Sequence, residues 1–397
     1  MEEILQEISS KGYQNQIRVV TLNGANSYRI QNFKTDKIFD LLDFIRIIDT
    51  PEKIHIDKKV MFVNDTFEFE INFSDCIFEQ GLVLRACKFV ENVDFRHCTF
   101  NGRTVFKKSK FEKKVRFHNS EFNSSINFEN TAFKDLVDFY YATFYSTQQF
   151  FLTDFLSVAI FSNVTFTRQI QFLYNKTTKD TIISFENATF QQSLDISRAN
   201  FWCKLSFWKA EINSNPKEIW LYERDHISEK HIAKPIQAFK VLRETFRIIK
   251  DTFHKEGNQI ESLLFYKYEM IIYEKEVKAS KMKNAVEERI SLFFNKNSNF
   301  FGTSWLRGLG FTFLVTLFFY TLFLFTFYDE LVFDNSWNAI SQTVKHFTEF
   351  LNIAKWDIKP FGINDYNWGY VALFIGRIFI AYGYYQIVQA FRKYGKS

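Results

Sequence analysis

Three cysteines have the residue type and the regular spacing that a metal or redox site would need. Cys76, Cys87 and Cys98 are equally spaced along the chain. Zinc-binding cysteines are usually only about two to four residues apart, and later in the chain Ser, Thr or Ala takes the same repeat position. We therefore expect buried core thiols, with metal binding and redox chemistry as alternatives. Four Cys in 397 residues predict no disulfide framework.

A cluster of basic residues is the second group with chemical potential. Its members are Arg103, Lys107, Lys108, Lys110, Lys113, Lys114 and Arg116. A solvated face is one interpretation; the other is a docking site for an anionic partner, either a lipid headgroup or an acidic protein. The surrounding stretch from residue 60 to residue 212 has 17 Lys plus Arg and 17 Asp plus Glu, so it has no net charge.

The chain shows no constellation of catalytic residues. It has no Gly-rich phosphate loop, no nucleophile elbow and no His-x-x-x-His pair, and its seven His are scattered. We therefore expect no enzyme, no cofactor and no bound metal.

The chemistry-bearing residues lie on a repeat that runs through the first half of the chain. From Phe62 to Phe172 aromatic residues recur at alternating intervals of 5 and 6, and 20 of the 21 positions are Phe, with Leu84 as the exception. After an insertion between Phe172 and Phe185 the pattern continues to Ile212. Neither a helix nor a simple strand has this period, so the pattern predicts a solenoid.

A second position repeats two residues before each aromatic residue. It alternates between small residues, as at Cys98 and Ser120, and aliphatic residues, as at Val93 and Val115. Residues i and i−2 of an extended segment point to the same side. The repeat therefore predicts a core in which Phe stacks on Phe from coil to coil.

These residues resemble the pentapeptide-repeat family, in its Phe-centred branch with alternating pentads and hexads. The resemblance implies a mainly β fold over residues 59–213, a right-handed quadrilateral β-helix of about seven coils. The sequence departs from the family pattern in having Phe at the centre, where Leu is usual, and in having hexads at alternate faces, where pentads are usual throughout. Some members mimic DNA with a strongly acidic rod, and the neutral stretch argues against that activity and against a nucleic-acid partner.

The flanking segments predict a cap and an adaptor. Residues 1–58 predict a hairpin with its turn at Asn23-Gly24 and a short helix over residues 36–48, which together would cap the solenoid. The first residues lack the features of a signal peptide, so we expect no secretory leader. Residues 214–300 predict a linker and a helical hairpin, broken at Gly257-Asn258, whose second helix extends to about Arg289.

Residues 301–397 predict a membrane domain with spans at about 307–328 and 366–391. Leu309 to Tyr328 contains no charge, and the second span contains only Arg377. Basic residues flank the two spans on their outer sides, and the loop between the spans is more acidic than basic. The positive-inside rule therefore predicts an integral protein of the cytoplasmic membrane with both termini and the repeats in the cytoplasm.

The second span carries a stripe of small residues beside Arg377. Gly369, Gly376 and Gly383 are equally spaced along this span. Such a stripe predicts close helix packing, either against the first span at Thr312 and Thr316 or against another copy. Arg377 would pair with backbone carbonyls or snorkel in a structural role, or would contribute to a pore or a lipid contact.

The two-span plan, with an amphipathic run from Trp337 to Leu351 in the loop, also resembles a degenerate pore-loop channel. The family's Thr-x-Gly-Tyr-Gly filter is absent, because Asn352-Ile-Ala-Lys-Trp356 stands before Asp357. We therefore predict a membrane-anchored scaffold or sensor whose solenoid binds a cytoplasmic protein. The alternative is an oligomeric ion channel or membrane-permeabilising effector gated by the repeats. In either case we expect contact with membrane lipid and homo-oligomers formed through the transmembrane helices.

Overall fold

The structure is a computed structural model, and it describes most of the chain. The described residues are 6, 8–12, 17–22, 25–30, 42–43, 45, 53–213, 220–221, 231–232, 235–280, 286–326, 334–355 and 368–392. They form two compact units, residues 1–252 and residues 253–397.

Residues 54–212 form a solenoid of four parallel sheets. Each coil contributes one short strand to a face, and this strand pairs with the strand on the same face of the next coil. Sheet 1 consists of Ile17–Leu22, Ala25–Ile30, Ile54–Ile56, Cys76–Phe78, Thr99–Phe100, Glu121–Phe122, Thr143–Phe144, Thr165–Phe166, Thr189–Phe190 and Glu211–Ile212. Sheet 2 consists of Ile71–Asn72, Val93–Asp94, Val115–Arg116, Val137–Asp138, Val158–Ile160, Ile182–Ser184 and Lys204–Ser206.

The other two sheets complete each coil. Sheet 3 consists of Val60–Val63, Leu82–Arg85, Thr104–Val105, Ile126–Asn127, Gln148–Phe151, Ile170–Leu173 and Leu194–Arg198. Sheet 4 consists of Thr66–Phe67, Lys88–Phe89, Lys110–Phe111, Ala132–Phe133 and Asp154–Phe155. The parallel-strand solenoid that the repeat predicts is therefore confirmed.

The core of the solenoid is the stacked Phe ladder. Phe95, Phe117 and Phe139 lie in successive coils, with ring centroids 5.1 and 4.9 Å apart and planes within 4 and 5° of parallel. Rings of neighbouring columns meet edge to face, as Phe106 and Phe117 do at 5.8 Å. Both arrangements suit the quadrupole of an aromatic ring, so the ladder supplies the continuous core that short strands alone lack.

A tight turn closes alternate corners of each coil. At Phe106 the carbonyl accepts a hydrogen bond from the Ser109 N–H, and Lys108 between them has φ of 64°. A positive φ at the third turn residue is the type II pattern. The same left-handed position recurs once in every pentad–hexad unit from Asn64 to Tyr174. The residue types give little sign of it, because Lys, Leu and Tyr hold the position as well as Asn.

The 13-residue step between Phe172 and Phe185 leaves the ladder in register. Phe185 stacks on Phe161 at 5.3 Å, and Ile182–Ser184 pairs with Val158–Ile160. The additional residues are therefore accommodated outside the stacked core.

An antiparallel hairpin precedes the solenoid. Ile17–Leu22 pairs with Ala25–Ile30, and the second strand pairs in parallel with Ile54–Ile56 of sheet 1. The predicted hairpin is present. Most of the helix predicted over residues 36–48 lies outside the described residues, and the capping role stays a prediction.

Six helices lie in the C-terminal part of the described chain. They are α1 (Pro235–Lys255), α2 (Gln259–Ala279), α3 (Val286–Ser298), α4 (Trp305–Phe325), α5 (Trp337–Leu351) and α6 (Gly369–Phe391). The sequence prediction of one helix continuing to Arg289 is wrong. α2 ends at Ala279 because Ser280 is extended and its hydroxyl donates a hydrogen bond to the Val277 carbonyl.

Within the first unit, α1 contacts the end of the solenoid. The Thr245 hydroxyl accepts a hydrogen bond from the Ile196 N–H at 3.3 Å, and Thr245 is fully buried. Leu242, Phe246 and Ile249 on the same helix are buried too. The amphipathic face that the sequence predicts therefore faces protein.

Helices α4 and α6 are long and apolar enough to cross a membrane. They correspond to the two spans that the sequence predicts, although residues 327–328 and 366–367 at the predicted ends lie outside the described part of the chain. α5 packs against both of them through a cluster that contains Tyr320, Phe350 and Leu373.

Candidate functional site

Arg377 holds the segment that follows α5. Its side chain lies in the middle of α6 and is 3% exposed. The guanidinium donates to the carbonyl oxygen of Ile353 at 3.1 Å and to the carbonyl oxygen of Lys355. Because the last carbonyls of a helix and the residues after it carry partial negative charge, a cation is stabilised there. The arrangement is a charge-assisted pairing of an arginine with backbone carbonyls.

The C-terminal end of α5 lies beside the inner parts of α4 and α6. The Tyr384 hydroxyl donates to the Leu351 carbonyl at 3.1 Å, and the Phe347 ring lies 5.8 Å from Phe313. Tyr384 is about 10 Å along the axis from the end of α6 at Phe391. α5 therefore extends inward from the loop between the two apolar helices, and the irregular backbone of residues 352–355 lies near their middle.

The glycine stripe of α6 packs against α4 of the same chain. A Cβ atom at Gly376 would lie 2.8 Å from the Cβ of Phe319, and a Cβ at Gly383 would clash with Thr312. Thr316 is fully buried. Gly369 is buried as well. Of the two partners that the stripe predicts, the first span is the one that occupies it here.

A buried polar cluster, which sequence reasoning missed, joins the end of α3 to α6. Asn299 donates to the Gln386 carbonyl at 3.2 Å and to the Gln389 side-chain oxygen at 3.1 Å. Tyr382 donates to the Asn295 side-chain oxygen at 3.2 Å. The sequence offers only a weak signal of this cluster, since Gln386 lies in an otherwise apolar stretch.

The turn before α4 is strained. Phe300 and Phe301 have φ of 52 and 56°, and Gly302 has φ of 78°. Consecutive left-handed residues are costly where the side chain is bulky. The Asn299 side chain accepts a hydrogen bond from the Gly302 N–H at 2.8 Å, which holds the turn.

The basic cluster predicted on the solenoid is divided among several faces. Arg103 precedes sheet 3, Lys107 and Lys108 form the next corner, and Lys110 lies in sheet 4. Lys113 and Lys114 precede sheet 2, and Arg116 lies in it. Lys107 pairs with Glu129 at 2.5 Å. The cluster therefore follows the chain around the coil.

Three of these cations share a shallow surface cavity of about 360 Å³ with carboxylates. The basic lining residues are Lys113, Lys114 and Arg116, and the acidic ones are Glu70, Glu91, Asp94 and Asp135. Acidic side chains thus outnumber basic ones in the cavity, so its charge does not favour an anion.

The stretch from residue 62 to residue 148 matches a known family. Its model, described as "Pentapeptide repeats (9 copies)", matches residues 62–110 and 106–148. Over residues 62–148 the solenoid is therefore similar to pentapeptide repeats. No curated protein matches the chain, and no solved structure matches it.

In the solenoid the small-residue positions form a buried hydrogen-bond ladder. Ser120 Oγ donates to the Phe95 carbonyl at 2.6 Å and accepts from the Cys98 N–H at 3.1 Å. Cys98 Sγ donates to the Phe73 carbonyl at 2.9 Å. The small residues thus bond one coil to the next, a role that their size alone did not predict.

The repeat cysteines occupy this ladder. Cys76, Cys87 and Cys98 are buried and free. Burial raises the pKa of the Cys76 and Cys98 thiols well above 9.0. Burial is also the main cause that raises the pKa of Cys87 to about 11. The thiolate that metal binding and oxidation require is therefore disfavoured at all three. Among the described residues, no group of three or more His, Cys, Asp or Glu has the arrangement of a metal site.

Proposed function

We propose that the protein is a membrane-anchored scaffold or sensor whose pentapeptide-repeat solenoid binds a cytoplasmic protein. Membrane anchoring by α4 and α6 is supported by the outer surface of this helical hairpin. Large apolar side chains that are exposed there include Leu306, Phe313, Leu314, Phe318, Phe325, Phe374, Ile378 and Val388. A surface of this kind is costly in water and suits hydrocarbon.

The hairpin also has the internal contacts that helices need in a membrane. Gly376 and Gly383 allow close approach of the two backbones, and the buried Thr312 and Thr316 hydroxyls donate to carbonyls one turn earlier. Small residues and satisfied hydroxyls are typical of helix pairs in lipid. The hairpin thus supports anchoring without the help of a second chain.

The solenoid supports the scaffold part of the proposal. Its core is complete, its surface has equal numbers of basic and acidic residues between positions 60 and 212, and its strands repeat at a fixed spacing. Such a surface suits recognition of a protein by shape and by specific contacts more than attraction of a polyanion. We propose no catalytic activity and no cofactor.

The anchor and its orientation are tested together. One sample of vesicles with the full-length protein is washed with alkaline carbonate, and a second sample, of sealed inside-out vesicles that expose the cytoplasmic face, is treated with a membrane-impermeant maleimide. The cysteine of Asp334→Cys, in the segment between the spans, should be protected from maleimide added on the cytoplasmic side. The cysteine of Lys240→Cys on α1 should be labelled by it. Release by carbonate would overturn the anchor, and the opposite labelling would overturn the orientation.

The scaffold is tested by cross-linking the full-length protein in cells and identifying the captured partners. A defined cytoplasmic protein, captured by the wild type and lost when solenoid surface residues are changed, supports the proposal. Recovery of the same proteins by a solenoid-free control would overturn it.

An oligomeric pore is the second candidate function. It is favoured by the position of α5 and by its exposed apolar surface. Irregular backbone at membrane depth is tolerated where it is buried in protein or lines a water-filled cavity. Residues 352–355 are such a segment, held by Arg377. On α5, Trp337 is 85% exposed, and Ile340 and Val344 are exposed with it, a surface that a second copy would cover.

Ion flux through liposomes tests the pore. Flux with the wild type that changes in Arg377→Ala would support a pore regulated by the solenoid. Absence of flux from inserted protein, or a strict monomer in detergent, would overturn this candidate and leave the anchor.

A further inference from the structure

Charged side chains lie in bands on and beside sheet 2, one band in each coil. The basic band belongs to one coil and consists of Lys113, Lys114 and Arg116. The coil before it has Glu91 and Asp94 at equivalent positions, because its strand pairs in register with Val115–Arg116. The coil after it has Asp135 and Asp138, whose strand pairs with the other edge of Val115–Arg116. Three cations therefore lie between two acidic bands.

The basic band has no ion pair within the described part of the chain, although all three of its residues are exposed. Elsewhere on the solenoid, opposite charges of neighbouring coils pair directly, as Lys134 and Glu112 do at 2.9 Å. In the acidic bands Asp94 pairs with Arg96 at 2.7 Å. Glu91 is exposed and pairs with no cation among the described residues. The bands therefore leave charges of both signs available to a partner.

An aromatic pair borders the second acidic band. The Tyr140 N–H donates to Asp138 Oδ1 at 2.9 Å, and the rings of Tyr140 and Tyr141 have centroids 4.6 Å apart. Tyr141 is 54% exposed, and tyrosine is a frequent anchor of protein interfaces. The bands also line the shallow cavity of about 360 Å³ described above. This banded face, residues 91–94, 113–116 and 135–141, thus combines charge with an aromatic anchor.

The alternation of sign disfavours a partner of uniform charge. A phosphate group attracted by the basic band would have an acidic band about 4.8 Å away on each side. A partner that satisfies all three bands must alternate in sign at the spacing of the coils. An α-helix rises about 5.4 Å per turn. Its residues i and i+7 are about 10.5 Å apart, close to the roughly 9.6 Å of two coil spacings.

We propose that the banded face binds an α-helix of a cytoplasmic protein. In this helix a basic residue at i, an acidic residue at i+4 and a basic residue at i+7 would face the three bands in turn. An apolar residue beside one of the basic residues would pack on Tyr141. The inference rests on the proposed scaffold function and deepens it, because it names the face of the solenoid and the chemistry of the partner.

Photo-cross-linking of the full-length protein in cells tests the face. A photoreactive phenylalanine analogue replaces Asn92, which is exposed and lines the cavity. A second protein carries the analogue at Lys88, which is exposed in sheet 4. The probe at position 92 should capture a cytoplasmic protein. Mass spectrometry of the cross-linked peptide should show a helical segment with basic, acidic and basic residues at i, i+4 and i+7.

Variants of the banded face should lower the captured yield. Lys113→Gln with Lys114→Gln should lower it about fivefold, the ratio expected for two exposed ion pairs. Tyr141→Asn should lower it about thirtyfold, the loss typical of an interface anchor.

The comparison needs variants that fold and a control on other faces. Asn119 and Asn163 hold the same left-handed corner as Tyr141 in the neighbouring coils, so Tyr141→Asn should fold. The matched control, Lys88→Gln with Arg168→Gln, removes two exposed cations from other faces and should leave the yield unchanged. Only variants whose thermal unfolding equals that of the wild type are compared.

The outcomes separate this face from the scaffold. Capture by the probe at position 88 alone overturns the banded face and leaves the scaffold intact. A captured segment without the charge pattern, a segment of a second copy of this chain, or an equal loss in the control also overturns the face. Cross-links to lipid or nucleic acid alone overturn the assignment of a protein helix. Absence of any captured protein at both positions overturns the face and the scaffold together.

Discussion

The Arg377 guanidinium donates a hydrogen bond to the Ile353 carbonyl oxygen at 3.1 Å, between residues far apart in the sequence. This bond joins the middle of the second apolar helix to the segment after α5. In a pore-loop channel that uses backbone carbonyls to bind cations, carbonyls at such a place would face an ion. Here a side chain of the protein itself supplies the positive charge.

Arg377→Lys should therefore loosen α5 although the charge is kept. An ammonium group has no planar fork with which to bond two carbonyls. Hydrogen bonds to charged groups contribute about 1.5–3 kcal/mol each, and we expect a loss of about that size in thermal unfolding in detergent. Tyr384→Phe removes one neutral hydrogen bond to the neighbouring Leu351 carbonyl and should cost about 1 kcal/mol. Equal effects of the two variants would contradict the role of Arg377.

Gly383→Ala should separate α4 from α6. The added methyl group would clash with Thr312, and overpacking of this kind costs about 1–3 kcal/mol. The matched control is Gly310→Ala on α4, because a Cβ there meets no atom within 4 Å. Unfolding in mixed micelles of increasing denaturing detergent measures both. A loss of stability in Gly310→Ala, or none in Gly383→Ala, would contradict the packing of the stripe.

The solenoid could be predicted from the sequence because its core repeats. The aromatic spacing identified the Phe ladder, and the two-residue offset identified the small and aliphatic positions. The left-handed corner could not be predicted, since Lys108, Leu152 and Tyr174 have the same conformation as Asn119. At these corners the neighbouring coils impose a left-handed backbone conformation that the residue itself disfavours.

The second unit, residues 253–397, was predictable in its helices and less so in its contacts. Length and lack of charge identified the two apolar helices, and the glycine spacing identified the stripe. The break between α2 and α3 was not identified, although Ser280 is extended where α2 ends at Ala279. Periodicity alone extended α2 to about Arg289.

Ser120→Ala should destabilise the solenoid more than its size suggests. It would leave the Phe95 carbonyl and the Cys98 N–H without their partner inside the core. Such a loss costs about 1–3 kcal/mol. Ser120→Cys should cost less, because the thiol of Cys98 makes the equivalent bond one coil earlier. Denaturant unfolding monitored by circular dichroism measures both, and a smaller loss for Ala than for Cys would contradict the ladder.

The stability of the solenoid should fall with pH in the alkaline range in part because of Cys87. Burial raises the pKa of this thiol from 9.0 to about 11 in the folded chain. Above pH 9 the unfolded chain releases the proton while the folded chain keeps it, so the contribution is complete below pH 9 and is lost by about pH 11. Cys87→Ala should show a flatter decline between these pH values. The native thiol should resist iodoacetamide at pH 8 and react once urea unfolds the chain; rapid native labelling would contradict its burial.

Each face of the solenoid recurs after one complete coil, so that Phe95, Phe117 and Phe139 stack in one column. This regularity limits how the length of the solenoid can change. Insertion or deletion of a whole coil leaves every neighbour on the remaining faces unchanged. Loss of a single residue within a strand shifts the later side chains by one position, unless a loop absorbs the change as it does between Phe172 and Phe185. The rod can therefore lengthen or shorten only in increments of about 4.8 Å, the spacing between strands. Its length is therefore set by the number of coils, and gene duplication can change that number without altering the packing of the core.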